Sequence, residues 1–236
     1  MREKQMTDDE HSRAVEMLDR IKAGEPLQYV TGVCEFLGLE FRVTPAVLIP
    51  RPETEELVVE VCDRFDKNKP LRILDIGTGS GCIPLGIKSV RPNWQVMGID
   101  VSRQALEVAL ENRRRLNLEV TFQYCDVAHF SWSEPFDVIV SNPPYVADNE
   151  RSQLQKQVVD HEPDVALFAP PNDVLYFYRL ISEKCNELLK PEGSLCFETH
   201  YRYAAEVGSV LTKKNFRNVE LKRDLSGNDR MIFAQK

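Results

Sequence analysis

The sequence has 236 residues, 42% of them hydrophobic, and sets 30 Lys and Arg against 37 Asp and Glu for a formal net charge of -7. That length suits one sizeable α/β domain with a small extra segment, and the acidic balance supplies no general basic field to draw in a phosphate backbone, so protein and small-molecule partners are expected ahead of nucleic acid. No run of about 18 apolar residues occurs, and the charged opening of the chain lacks the apolar stretch of a signal peptide, so a cytoplasmic protein with no membrane partner is expected.

In chain order, Ala14, Val15, Leu18 and Ile21 recur at helical spacing over residues 8 to 23, and Gly24 and Pro26 stop the pattern. From Tyr29 to Val43 the chain is mostly β-branched or aromatic with Gly32 and Gly38 interrupting, which predicts a small hairpin. Glu53 to Phe65 reads as a helix with Leu57, Val58 and Val61 on one face.

After "KNKP" short apolar strands and helices alternate: strand "LRILDIG", helix "GCIPLGIKSV", strand "WQVMGIDV", helix "RQALEVALENRRRL", strand "EVTFQYCDV" and strand "FDVIVS". Such alternation implies right-handed βαβ crossovers and a parallel sheet covered on both faces. A loop over 142 to 171 is followed by a helix from Val174 to Leu189, strand "GSLCFETH", a helix from Tyr203 to Lys214, and strands "FRNVELKRD" and "RMIFAQK". Only "LSGN" separates the last two, so they should form an antiparallel hairpin at the sheet edge. The sum is an α/β, Rossmann-like, mostly parallel seven-stranded sheet with an antiparallel C-terminal hairpin, the layout of a class I SAM-dependent methyltransferase, preceded by a short helix and β-hairpin. Residues 1–50 are read as that N-terminal segment and 51–236 as the methyltransferase domain.

The loop "DIGTGSG" sets Asp75 ahead of Gly77, Thr78, Gly79, Ser80 and Gly81, between a strand and a helix. Glycines there let backbone come close to a ligand at the helix start. The spacing is G-x-G-x-G, whereas a nicotinamide fingerprint is G-x-G-x-x-G. This favours S-adenosylmethionine, its carboxylate on the helix start and its ammonium near Asp75; taken alone, the loop would also suit a Gly-rich turn of another α/β protein. Two further acids end the next strands, where open α/β sheets bind ligands. Asp100 can accept both ribose hydroxyls and Asp126 the adenine amino group; Asp100 before "SRQALE" could be a helix cap, but three strand ends in series with the required chemistry argue against that for the set.

"SNPPY" ends the fourth strand of the series, beside the position of the donor methyl. The Asn142 side-chain oxygen and the Pro143 carbonyl can accept both N–H bonds of a planar NH2 group; Pro143 and Pro144 fix the loop and remove competing donors, and Tyr145 can pack on the planar group. That clamp suits adenine in DNA, guanine in RNA or a glutamine amide. The six cysteines form no C-x-x-C or Cys/His pairing at zinc spacing and read as structural thiols with no metal. No histidine has a Ser or Cys partner in a recognisable hydrolytic motif.

"GEPLQYVTG", "VLIPRPETEELV", "LDIGTGSG", "VSNPPYV", "HEPDVAL" and "DLSGNDRMIFA" together resemble the HemK/PrmC family over about residues 20 to 236. Members are protein-(glutamine-N5) methyltransferases that modify the Gly-Gly-Gln motif of class 1 peptide-chain release factors. The resemblance implies S-adenosyl-L-methionine as donor and S-adenosyl-L-homocysteine as product. It places the donor on Gly77 to Gly81, Asp100 with Val101, Asp126 or its neighbour Val127, and Asn142. The target glutamine falls on Asn142, Pro143, Pro144 and Tyr145, with Arg51, Pro52 and residues Glu53 to Glu55 walling the pocket; a helix start with an N-terminal Pro and acids in its first turn is the other explanation of these last residues, and a pocket role is favoured for Arg51 and Glu53. An exocyclic amino methyltransferase of nucleic acid, adenine N6 or guanine N2, is the alternative with the same clamp. Two departures stand out. The family carries several N-terminal helices that help grip the release factor, whereas one helix precedes "GEPLQY" here, read as a remnant or truncated substrate-binding domain. "FETHYRYAAEV" also lacks the Gly and Gln usual after this Glu.

Overall fold

The computed structural model describes residues 6–236, so the first five positions of the 1–50 segment lie outside the described residues. Helix α1 (Asp8–Lys22) starts at a capping box, with Thr7 accepting from the Glu10 amide and Glu10 accepting in return, and its acids and bases sit at the ends the helix dipole favours. None of its residues is buried. A short helix α2 (Leu27–Thr31) follows, where the sequence had suggested the first hairpin strand. Pro26 opens that turn, and Gly32, at φ 75°, closes it, so local breakers override the β preference of Tyr29, Val30 and Thr31.

The hairpin itself is β1 (Val33–Phe36) and β2 (Leu39–Arg42), joined by Leu37 and Gly38, both at positive φ as a tight two-residue turn requires. Phe36 and Phe41 are fully buried and meet edge to face at 5.8 Å. They share a core with Leu57, Val58, Ile73 and Ile83, which fixes the hairpin to the main body.

The chain then runs α3 (Pro52–Arg64), β3 (Arg72–Ile76), α4 (Cys82–Val90), β4 (Gln95–Asp100), α5 (Arg103–Leu116), β5 (Val120–Tyr124) and β6 (Phe136–Ser141). After β6 come α6 (Lys156–His161), α7 (Asp164–Leu167), α8 (Tyr176–Leu188), β7 (Leu189–Glu198), α9 (Ala204–Lys213), β8 (Arg217–Arg223) and β9 (Asp229–Gln235). The seven strands lie in the order β5-β4-β3-β6-β7-β9-β8; the first five are parallel, and β9 pairs antiparallel with both β7 and β8, as the sequence predicts. Alternate residues face opposite layers: Leu74 and Ile139 join the core under α8 and α9, while Ile73, Val138 and Val140 join the one under α3 and α4.

Two further stretches differ from the sequence reading. The 142 to 171 loop holds a 3-10 turn (Asp148–Gln153), α6, α7 and a parallel bridge from Val146 to Phe168. These elements are too short to show a helical period. Strand β7 begins at Leu189, before Pro191, and its register with β6 jumps between the Phe136–Leu189 and Val138–Ser194 pairs, with Glu192 at φ 64° in the excursion.

Strand order reverses between β3 and β6, the switch point at which open α/β sheets bind ligands. Ile76 of β3 is in register with Ser141 of β6, so the glycine loop and the Asn-Pro-Pro-Tyr turn emerge side by side.

Candidate active site

The glycine loop is held against the end of β4: the Gly77 and Thr78 amides both donate to the Ile99 carbonyl, at 2.9 and 3.0 Å. Gly79 donates to Asp100 Oδ2, and Ser102 donates to Asp100 Oδ1, each at 2.8 Å. Burial raises the Asp100 carboxyl, and these amide bonds counter it. Each Asp100 oxygen keeps a further lone pair, so the cap and the diol acceptor are compatible roles. Buried Asn112 of α5 ties the neighbourhood together. It accepts from the Arg42 amide at 2.7 Å and donates to the carbonyls of Arg42 and Ser80, joining hairpin, helix and loop.

A cavity of about 210 Å³ opens at these strand ends. Gly77, Thr78, Gly79, Ser80, Asp100, Val101, Asp126, Val127 and Asn142 all line it, as do Arg51, Pro143 and Pro144. Asp75 and Gly81, expected among the donor's contacts, do not. Asp75 is completely buried in β3, and burial pushes its carboxyl up to about 7. Gly81 serves packing: at φ 80°, a Cβ there would come within 3.0 Å of Phe122 Cζ and 3.2 Å of Ala109 Cβ. Exposed Asp126 uses Oδ1 to accept from the Ala128 amide at 2.9 Å, capping the 3-10 turn Val127–His129.

The cavity's polar groups fit a ligand that is polar at one end. Among the described residues, the buried Thr78 and Ser80 hydroxyls in this wall have no hydrogen-bond partner, and an unmet buried polar group is costly. Gly77 and Gly79 would hold a Cβ in open space. Ile83, Ile99, Ala105 and Phe177 make up apolar parts of the wall.

A second cavity of about 360 Å³ adjoins this one, and Leu48, Arg51, Asn142 and Ala166 belong to the walls of both. Tyr145 lines this outer space with His200, Tyr201, Arg202 and Arg230. His200 stacks on Tyr201 at 4.6 Å and lies 5.7 Å from the Tyr145 ring. The stretch that departs from the family pattern thus supplies aromatic wall, and burial lowers the His200 pKa.

Helix α3 begins with Pro52 in its first turn, and that start decides which of its residues reach the site. Pro52 is exposed and Glu53 half-buried, and neither lines either cavity. Glu55 accepts from the Leu37 amide at 3.1 Å, holding the hairpin turn instead. Thr54 is the one turned inward: it accepts from Asn142 Nδ2 at 3.3 Å and donates to Glu198 Oε2 at 2.6 Å. Tyr145 donates to Glu198 Oε1 at 3.4 Å. Burial pushes the Glu198 carboxyl up to about 7, against the pull of the Thr54 hydroxyl and the Arg230 guanidinium. Arg51 is engaged with Glu162 at 2.5 Å, and Glu162 also accepts from the Ile49 amide.

Glu162 and Glu198 are therefore site residues that the sequence reading did not single out, and Thr54 fell within its range Glu53 to Glu55 without a role of its own. Glu198 ends a parallel strand, as Asp100 does, and that shared position was the available signal. Among the described residues, no group of three or more His, Cys, Asp or Glu side chains is placed to hold a metal ion, and no helix is long and apolar enough to cross a membrane.

Comparison with known proteins adds a chemical identity to this geometry. A family model described as a methyltransferase domain matches residues 67–232. A release factor glutamine methyltransferase of Bacteroides thetaiotaomicron is 42% identical over 92% of this chain and 78% of its own length. One from Flavobacterium psychrophilum is 43% identical over 92% of this chain and 77% of its own. Among solved structures, the release factor-specific protein-(glutamine-N5) methyltransferase of Alicyclobacillus acidocaldarius is 30% identical with a TM-score of 0.50, covering 83% of this chain and 99% of that one.

Proposed function

Because the chain belongs to the family of release factor glutamine methyltransferases, we propose that it methylates the side-chain amide nitrogen of the glutamine in a Gly-Gly-Gln sequence of a peptide-chain release factor, with S-adenosylmethionine as donor. The observation that carries this reading is the position of Asn142 in the wall common to both cavities. Asn142 thus borders both the cavity we assign to the donor and the one we assign to the glutamine.

When bound, S-adenosylmethionine supplies an electrophilic methyl and leaves as S-adenosylhomocysteine. Gly77, Thr78, Gly79, Ser80, Asp100, Val101, Asp126, Val127 and Asn142 are the residues we assign to holding it. The unpartnered hydroxyls of Thr78 and Ser80 offer hydrogen bonds to its polar groups, and Asp100 has acceptor capacity left for a diol.

A carboxamide nitrogen is a weak nucleophile because its lone pair is delocalised into the carbonyl. Asn142 Oδ1 and the Pro143 carbonyl accept its two N–H bonds and so fix the direction of the nitrogen. Pro143 and Pro144 have no N–H to compete for those acceptors. The Tyr145 ring flanks the planar group from the outer cavity. Alignment of two reactants can supply up to ~7–11 kcal/mol of a barrier, so no strong general base is required, and the amide proton leaves to solvent after transfer. Residues 51–236 form the catalytic body in this proposal, with 1–50 as a flanking segment anchored through Phe36 and Phe41.

The test is incubation of the purified protein with a release factor and methyl-labelled donor, followed by peptide mass spectrometry. The expected result is one added methyl on the glutamine of Gly-Gly-Gln. Label appearing in nucleic acid and not in the release factor would overturn the reading.

A further inference from the structure

We propose that Thr54 and Glu198 are positioning residues that decide which end of the Asn142 carboxamide faces the acceptor group. The inference rests on the reading above, in which Asn142 accepts from a substrate NH2. An asparagine side chain has two ends of nearly equal shape, an oxygen that only accepts and an NH2 that only donates. Only the hydrogen-bond network around it decides which points where.

Here the network runs in one direction. An ionised Glu198 can only accept, so the Thr54 hydroxyl spends its single proton on Glu198 Oε2 at 2.6 Å. Thr54 is then left with lone pairs toward Asn142, and Asn142 meets them with Nδ2 at 3.3 Å. Oδ1 becomes the free end of the amide, in the wall the two cavities share. Tyr145 donates to Glu198 Oε1, and Tyr178 of α8 donates to the Glu198 carbonyl at 3.1 Å, so the carboxylate and its strand end are held on several sides.

Protonation of Glu198 reverses the chain. A carboxylic acid donates to Thr54, the threonine proton swings to Asn142, and the amide turns over to offer NH2 to an incoming NH2. Donor then faces donor, and the clamp is lost. The groups facing Glu198 are Glu53 of α3, Cys82 of α4, Tyr145, Tyr178 and Arg230 of β9. Arg230 favours the ionised form, and Glu53 opposes it. Cys82, Tyr145 and Tyr178 are each pushed above their ordinary values by burial, so they remain neutral near pH 7. Burial places the Glu198 transition itself at about 7.

The experiment follows the side-chain amide NMR signals of Asn142 in the free protein, assigned by their loss in Asn142→Asp, between about pH 6 and 8.5. They are expected to shift with a midpoint near 7, as Glu198 titrates, and to stop titrating in Thr54→Val and Glu198→Gln. In kinetics, Thr54→Ser keeps the hydroxyl and should stay within about twofold of wild-type kcat, while Thr54→Val and Glu198→Gln lose about tenfold or more in kcat with the KM for S-adenosylmethionine within about twofold. The wild-type rate falls below about pH 7, and that limb is absent in Glu198→Gln. A wild-type amide that does not respond to pH, or a folded Thr54→Val with wild-type kcat, would overturn the relay. The amide titration needs no methyl acceptor, so its failure is separate from a failure to methylate the release factor.

Discussion

Arg51 and Glu162 lie 111 positions apart and meet at 2.5 Å, with the Glu162 side chain 1% exposed and Arg51 at 32%. The pair joins the segment that leads into α3 to the segment that follows the Asn-Pro-Pro-Tyr turn. Both segments contribute residues to the cavity walls, so the pair ties two parts of that wall together. Arg51 therefore acts on the pocket as a brace.

Arg51→Ala should leave the Glu162 carboxylate buried with only the Ile49 amide as partner. A loss of about 1–3 kcal/mol in urea unfolding is expected, together with a lower kcat/KM. Glu162→Gln keeps only one acceptor oxygen and turns its NH2 toward either the Ile49 amide or the Arg51 guanidinium, so it should lower stability as well. Equal stability of wild type and Arg51→Ala would show that the brace carries no energy.

Asn142→Ala should lower kcat by about 10²–10³-fold, the range seen for removal of a single polar group that serves the transition state. Donor affinity by isothermal titration calorimetry should stay nearly unchanged. Asp100→Ala should do the reverse first, weakening donor binding by about tenfold or more through loss of a charged acceptor. An Asn142→Ala enzyme that turns over normally would remove the clamp from the mechanism.

Gly81 and Gly77 should separate stability from binding. Gly81→Ala combines φ 80° with a Cβ 3.0 Å from Phe122 Cζ, so a loss of about 1–3 kcal/mol in stability is expected. In Gly77→Ala the new Cβ meets nothing within 4 Å. Only the positive φ opposes it in the free protein, and donor affinity is the property expected to fall. Thermal unfolding with and without donor distinguishes the two.

The pH dependence of stability should carry the mark of Asp75. Its carboxyl is raised by burial to about 7 from an ordinary 3.8, so the folded state holds this proton across a window in which the unfolded chain has released it. More protons bound in the native state means that stability falls as pH rises through that window. Asp75→Asn should therefore stabilise the donor-free protein at pH 8, on the order of a few kcal/mol, with the gain shrinking toward pH 4. Denaturant midpoints at pH 5, 6.5 and 8 measure it; a gain that is independent of pH would refute the assignment.

What the sequence determined by itself is whatever depends on neighbours along the chain. Apolar runs broken by glycine, proline and acids set the strand and helix order, and right-handed crossovers then leave little freedom in the sheet. The glycine loop, Asp100 and Asn142 were legible because each stands at the C-terminal end of β3, β4 or β6, at or next to the switch point. The α2 turn and the helices within 142–171 were not, since segments of four to six residues hold too few turns to show a period.

Tertiary structure alone decided which side chains finish the site. Thr54, Asn142 and Glu198 are separated by 88 and 144 positions along their two hydrogen bonds, and no local pattern marks such partners. Within "RPETE" the sequence offers two acids and an arginine as the chemically prominent candidates, yet the helix turn sends Thr54 inward, Glu55 to the hairpin and Arg51 to Glu162. The physical reason is that a buried polar group must find its partner through sheet register and helix rotation, and these are fixed only when the layers pack.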